Sequence, residues 1–133
     1  MLKCLSVEVT NLIDLNTSTL LHFNTNKMPS TYFDLPTKLS QYEKASVAIL
    51  PVPLDITTSY VKGTRLAPKA ILTASAQVEL YDEELEGETC DIGIATLPAI
   101  KTGKKPFESI AEEIGRTIGR IVRDGKLPVM IGG

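Results

Sequence analysis

Between Pro51 and Ala67 lie Asp55, Thr57, Thr58, Ser59, Tyr60, Lys62 and Arg65, a dense set of hydrogen-bonding groups carrying both signs of charge. Such a set can bind a polar ligand or order a surface loop. It lacks the histidines and paired carboxylates that metal or acid–base chemistry would need. The seventeen residues from Pro51 to Ala67 are more than a strand-to-helix connection requires, and loops that long are usually functional or disordered. Pro51, Pro53 and Gly63 punctuate this one, and Leu54, Ile56, Tyr60, Val61 and Leu66 give it apolar anchors, so order is the expectation. From spacing alone, a solvated loop with no ligand explains it equally well.

The elements that must hold the loop can be read on either side of it. Val47 to Leu50 is continuously apolar, as in a parallel strand covered on both faces. After the loop, Pro68 suits a first helical position, and Ala67, Ala70, Ile71, Ala74 and Val78 recur at helical spacing, which predicts that they form a buried face. Asp91 to Ile100 predicts a short strand and loop. Pro106 to Asp124 predicts a second helix, with Phe107, Ile110, Ala111, Ile114, Ile118, Ile121 and Val122 on one stripe and Gly125 ending it. Gly115 and Gly119 on the stripe edge are explained either by close helix contact or by simple tolerance. Leu127 to Ile131 predicts another buried strand, parallel to Val47–Leu50 and next or nearly next to it. Strand, helix, strand, helix, strand is the pattern of a parallel α/β sheet. Ligands of such sheets bind at the carboxyl ends of the strands. The long loop and the Gly132, Gly133 pair both leave from those ends.

The run PLDITTSYVKGTRLAP followed by KAI resembles the signature of the ureohydrolases, the arginase and agmatinase family. Pro53, Asp55, Thr58, Ser59, Gly63, Arg65, Pro68 and Ile71 stand in register with it. Pro51, Lys62, Ala67 and Leu72 replace the glycine, proline, glycine and arginine usual there. KLPVMIGG, Lys126 to Gly133, is similar to the strand that in this family leads into Gly-Gly-Glu-His. The resemblance implies a three-layer α/β/α sandwich on a parallel sheet, of which residues 46–133 are the N-terminal part. Residues 1–45 lie almost wholly outside it: LSVEV and TLLHF could be short strands, but the rest is rich in Asn, Thr, Ser and Pro, and the stretch reads as an irregular arm packing on a neighbour or on the main sheet. The resemblance implies an agmatinase-like hydrolase acting on a small guanidino substrate such as agmatine, with urea released. Arginase, guanidinobutyrase, proclavaminate amidinohydrolase and formiminoglutamase share much of the signature. The resemblance also implies two manganese ions in the full-length enzyme, held by histidines and aspartates beyond this chain. Asp55, Tyr60 and Arg65 are then expected to shape the substrate mouth or a subunit contact, with no catalytic or metal-ligating residue among them.

Other features narrow the class. The chain has 133 residues, 43% hydrophobic and 23% charged, enough for one globular domain. Fourteen basic against sixteen acidic side chains leave a formal charge of −2, so neither a nucleic-acid patch nor a membrane-surface field is indicated. Cys4 and Cys90 form no metal or disulfide pattern, and no apolar run reaches the length of a membrane span, which makes a soluble protein of the cytoplasm the expectation. His22, the only histidine, sits between Leu21 and Phe23 and is assigned no chemistry. The acidic run Asp82 to Glu88 lacks the spacing of a calcium loop and predicts a solvated turn. No Walker loop, dinucleotide fingerprint or nucleophile elbow is present. An isolated chain of this kind should neither bind manganese tightly nor hydrolyse a guanidino compound. An open apolar edge on its sheet should associate with a second copy or a completing C-terminal segment. The competing expectation is a short, non-catalytic interaction protein that keeps half of the fold.

Overall fold

The computed structural model describes residues 31–56, 58–59 and 62–132. The possible strands LSVEV and TLLHF, Cys4, His22 and Tyr60 lie outside these residues.

Strand β1, Val47–Val52, is the axis of the fold, and every residue in it except Val47 is buried. Such an unbroken apolar run suits a strand with partners on both edges and cover on both faces. Strand β4, Ile94–Thr96, pairs with it in parallel on one side, and β5, Leu127–Gly132, pairs in parallel on the other from Val47↔Leu127 to Val52↔Gly132. The expected parallel pairing of β1 with β5 is therefore direct. Because side chains alternate across a strand, β1 feeds two cores. Ile49 packs with Leu35, Cys90 and Ile94, whereas Leu50 and Val52 pack with Ile100 and Ile110.

Each core has its own cover. Helix α3, Phe107–Arg123, lays Ile110, Ile114 and Ile118 on the Leu50 side, and its Ile121 is also fully buried. The other side is covered by helix α2, Ala67–Ser75, by the short helix α1, Thr37–Ser40, and by a turn at Tyr32–Asp34. Helices on both faces of a parallel sheet make this a three-layer α/β/α arrangement. Phe107 and Val122, expected on the buried stripe of α3, are exposed. No atom beyond its own helix lies within 4 Å of where a Gly115 side chain would begin, so close packing does not explain that glycine.

Helix α2 departs further from its predicted face. Ile71 is 40% and Val78 57% exposed, and Ala70 and Ala74 are exposed too, whereas Pro68 and Ser75 are buried. The reason is a specific polar contact that periodicity does not reveal. The Ser75 hydroxyl donates to Leu72 O at 2.8 Å and accepts the Phe33 N–H at 2.9 Å, which turns α2 toward the segment at residues 31–35. The same segment donates Tyr32 N–H to Thr96 Oγ1 at 2.9 Å.

Two features close the amino ends of the strands. Gly93, at φ +75, passes so close to the chain that an added Cβ would lie 2.9 Å from Ala45 Cα. Glycine is required there on grounds of both space and backbone angle. Across the same rim, Tyr42 donates its hydroxyl proton to Asp124 Oδ2 at 2.7 Å, and Lys126 Nζ donates to Ala45 O at 2.7 Å. The Asp124 carboxylate pushes the Tyr42 pKa up. The acidic run is a solvated hairpin, with β2, Tyr81–Asp82, antiparallel to β3, Gly87–Glu88, and Asp82 Oδ1 accepting the N–H groups of Glu84 and Leu85.

Candidate functional site

The loop after β1 is shorter than its sequence suggests, because Pro51 and Val52 belong to the strand and Thr64–Leu66 forms a 3-10 turn running directly into α2. Pro51 is tolerated in a central strand for a local reason. Its carbonyl accepts the Ile100 N–H at 2.9 Å on the side facing β4, and β4 ends at Thr96, level with Ile49. The missing Pro51 donor therefore faces a stretch where the ladder has already stopped.

Asp55 is the hub of what remains. Its Oδ2 accepts the Gly63 N–H at 2.8 Å, and its Oδ1 accepts the Thr58 hydroxyl at 2.9 Å. Thr64 Oγ1 lies 3.2 Å from the same Oδ1 and 3.1 Å from Leu54 O, and shares its one proton between them. The Gly63 N–H, followed by the Thr58 hydroxyl, holds the Asp55 carboxyl below the ordinary aspartate range. Partial burial opposes this, while Thr64 and the Arg65 guanidinium add to it. The carboxylate is thus committed to its own loop.

A cleft of about 180 Å³ opens beside this hub, lined by Pro53, Leu54, Asp55, Ile56 and Arg65 from one segment and by Thr102 and Gly103 from another. The two walls are tied by Thr102 Oγ1, which donates to Pro53 O at 2.7 Å. Their divergence has a topological cause. The chain leaving β1 runs to α2 on one face of the sheet, and the chain leaving the adjacent β4 runs to α3 on the other. A crevice at the carboxyl ends of two such strands is where open α/β sheets place ligands. Asp55 and Arg65 are therefore both at the expected rim. Thr102 and Gly103 were not anticipated from the sequence, although they sit in a Pro- and Gly-punctuated stretch directly following a strand, which was the available signal.

The rim does not fit the manganese pair that the family resemblance implies. Among the described residues the only grouping of three candidate donors is Glu88, Cys90 and Asp91, at the amino end of β4 and so opposite the cleft. Burial, with the neighbouring carboxylates, pushes the Cys90 thiol up and keeps it protonated. At the cleft itself the Asp55 oxygens are already engaged.

Comparison with known proteins agrees with this architecture. The family model described as the Arginase family matches residues 45–133. A relative in Synechocystis, described as N(1)-aminopropylagmatine ureohydrolase, is 41% identical over 100 residues, covering 71% of this chain and 33% of its own length. A relative of the same description in Thermus thermophilus is 36% identical with nearly the same coverage. Among solved structures, agmatine ureohydrolase of Thermoplasma volcanium superposes with a TM-score of 0.66 at 27% identity, over 71% of this chain and 32% of that one. A manganese-containing formiminoglutamase of Trypanosoma cruzi, at 19% identity and TM-score 0.60, shares the fold. A parallel three-layer sheet with its crevice at the carboxyl rim, matched over two thirds of its residues, places this chain in the arginase family. The chain spans about a third of the length of the curated relatives it matches.

Proposed function

We propose that this chain forms the N-terminal third of an agmatinase-like ureohydrolase, which cleaves urea from a guanidino amine such as agmatine, leaving putrescine, or its aminopropyl derivative. The observation that carries this reading is the family match over residues 45–133, with the loop from Pro53 to Pro68 inside it. In this proposal the donors for the manganese pair come from the other two thirds of the enzyme, and the present residues build one wall of the substrate mouth. The enzyme works in the cytoplasm; among the described residues no helix is long and apolar enough to cross a membrane.

The test is a swap in which residues 45–133 replace the matching third of the Synechocystis relative, with urea release measured from agmatine and from N(1)-aminopropylagmatine. A folded, manganese-loaded hybrid that releases urea supports the reading, and one that releases none overturns it. The 133-residue chain alone should retain no stoichiometric manganese after dialysis and release no urea. One feature favours the second reading, an interaction protein: among the described residues no strand pairs with the outer edge of β5, and Leu127 and Met130 are exposed. On either reading, a completing segment or a second copy is the proposed partner.

A further inference from the structure

We propose that the acidic hairpin of residues 81–88 is a docking surface for the lysine loop, residues 101–105, of a second copy, so that two chains pair about a two-fold axis alongside β4. This pairing does not depend on the chemistry proposed above, and it uses the side of the sheet away from β5.

Charge is sharply divided along this stretch. Seven carboxylates fall within residues 79–91, no lysine or arginine occurs in residues 70–100, and three lysines then stand within residues 101–105. The hairpin precedes the amino end of β4, and the lysine loop follows its carboxyl end. Between the two clusters the chain runs alongside residues 47–51 of β1. At about 3.3 Å per residue that run is roughly 13 Å, longer than the ~8 Å screening length of physiological salt. The clusters therefore do not neutralise each other within one molecule. Nor are they spent on near neighbours. Asp82 accepts the N–H groups of its own turn and Glu88 the Cys90 thiol proton, while Glu83, Glu84 and Glu86 are exposed. The one salt bridge among the described residues joins Lys105 to Glu113, and Lys101 and Lys104 are exposed outside it.

Apolar groups sit inside the charge. Tyr81 is 53%, Leu85 72% and Ile92 55% exposed, and Leu85 is the most exposed of the large apolar residues described. Pro98 and Ala99 are likewise exposed, immediately before Lys101. A single exposed apolar side chain needs no partner, but several framed by charge of one sign mark a contact surface. A two-fold axis perpendicular to β4 reverses the strand, so the hairpin of each copy meets the lysine loop of the other and the contact is made twice. Among the described residues no strand pairs with the outer edge of β4. None of the three lysines lines the cleft, so the pairing takes no group from it.

Sedimentation equilibrium of the 133-residue chain tests the pairing, with Val129→Lys and Met130→Lys present throughout to keep association through β5 out of the measurement. This parent should dimerise at about 0.02 M salt and lose roughly tenfold or more in affinity at about 0.5 M, as the screening length shortens. Glu83→Lys with Glu84→Lys should leave it monomeric, and so should Lys101→Glu with Lys104→Glu. Mixed in equal amounts, those two variants should form a 1:1 dimer, because each supplies the charge that the other has inverted. Arg116→Glu with Arg123→Glu, a change of net charge equal to the lysine reversal but on the outer face of α3, should leave the parent dimer intact. Leu85→Ser, which alters no charge, should weaken it several-fold. All these side chains are exposed, and the urea midpoint of each variant checks that it is folded. A parent that stays monomeric at low salt, a dimer indifferent to the hairpin reversal, or one dissolved equally by the arginine reversal would overturn the pairing. Growth of the mixture beyond two copies would overturn it too, since that is the mark of an open head-to-tail contact.

Discussion

Strands β1 and β5 are both six residues long, apolar and interrupted by one proline, and they are hydrogen-bonded to each other along their length, yet their surroundings are opposite. Leu50 in β1 is 1% exposed, whereas its register partner Met130 in β5 is 53% exposed. What separates them is neighbours: among the described residues β1 has a strand on each side, and β5 has one. An apolar strand advertises the environment that suits it, and only the sheet order says whether that environment is provided. Two strands with the same pattern therefore carry different energetic weight.

The sharpest way to break this comparison is to truncate both partners. Leu50→Ala should lose roughly 2–5 kcal/mol of stability, the usual range for a buried leucine, and Met130→Ala about 0.5 kcal/mol or less, as at exposed sites. Urea denaturation at neutral pH measures both. Equal losses would mean that the outer edge of β5 is covered in solution. A second pair of changes sharpens it at the strand ends. Gly93→Ala should cost about 1–3 kcal/mol or more, since it combines a strained backbone with a clash against Ala45, while Gly63→Ala pays the backbone cost alone, roughly 1 kcal/mol. Met130→Lys and Val129→Lys should leave stability within about 0.5 kcal/mol but reduce self-association several-fold in sedimentation experiments, because charge blunts an open edge. Tyr42→Phe should cost about 0.5–1 kcal/mol, for one exposed hydrogen bond. The Tyr42 pKa is raised in the folded chain, so this contribution is whole below the ordinary tyrosine value of about 10 and disappears as pH rises through the raised one. The stability of Tyr42→Phe should accordingly converge on that of the parent at alkaline pH.

Much of the fold could be read in advance because its elements are encoded locally. The apolar run of β1, the stripe and flanking Pro106 and Gly125 of α3, and the punctuated strand β4 all emerged near their expected places. The outward turn of α2 did not, since Ile71 and Val78 mark an apolar stripe whatever lies opposite, and the deciding bond joins Ser75 to Phe33 across 42 positions. Nor could the sequence show that Phe33 and Asp34 adopt positive φ. At the rim, polarity and spacing singled out Asp55 and Arg65. The hydrogen bonds that tie Asp55 to its own loop were not legible there, and the opposite wall at Thr102 depends on β4 lying beside β1.

The strand order also sets a timetable for synthesis. The two strands that flank β1 are supplied late, β4 about 47 positions after it and β5 about 80. At a translation rate of roughly 5–20 residues per second, β1 leaves the ribosome some 4–16 s before the strand that completes its pairing. Throughout that interval Ile49 and Leu50 have no finished sheet to enter, and parallel strands offer no hairpin to shelter them meanwhile. A strand that is almost wholly buried in the folded chain is thus made well before either of its neighbours, and the nascent chain has to be kept from aggregating at least until both have followed.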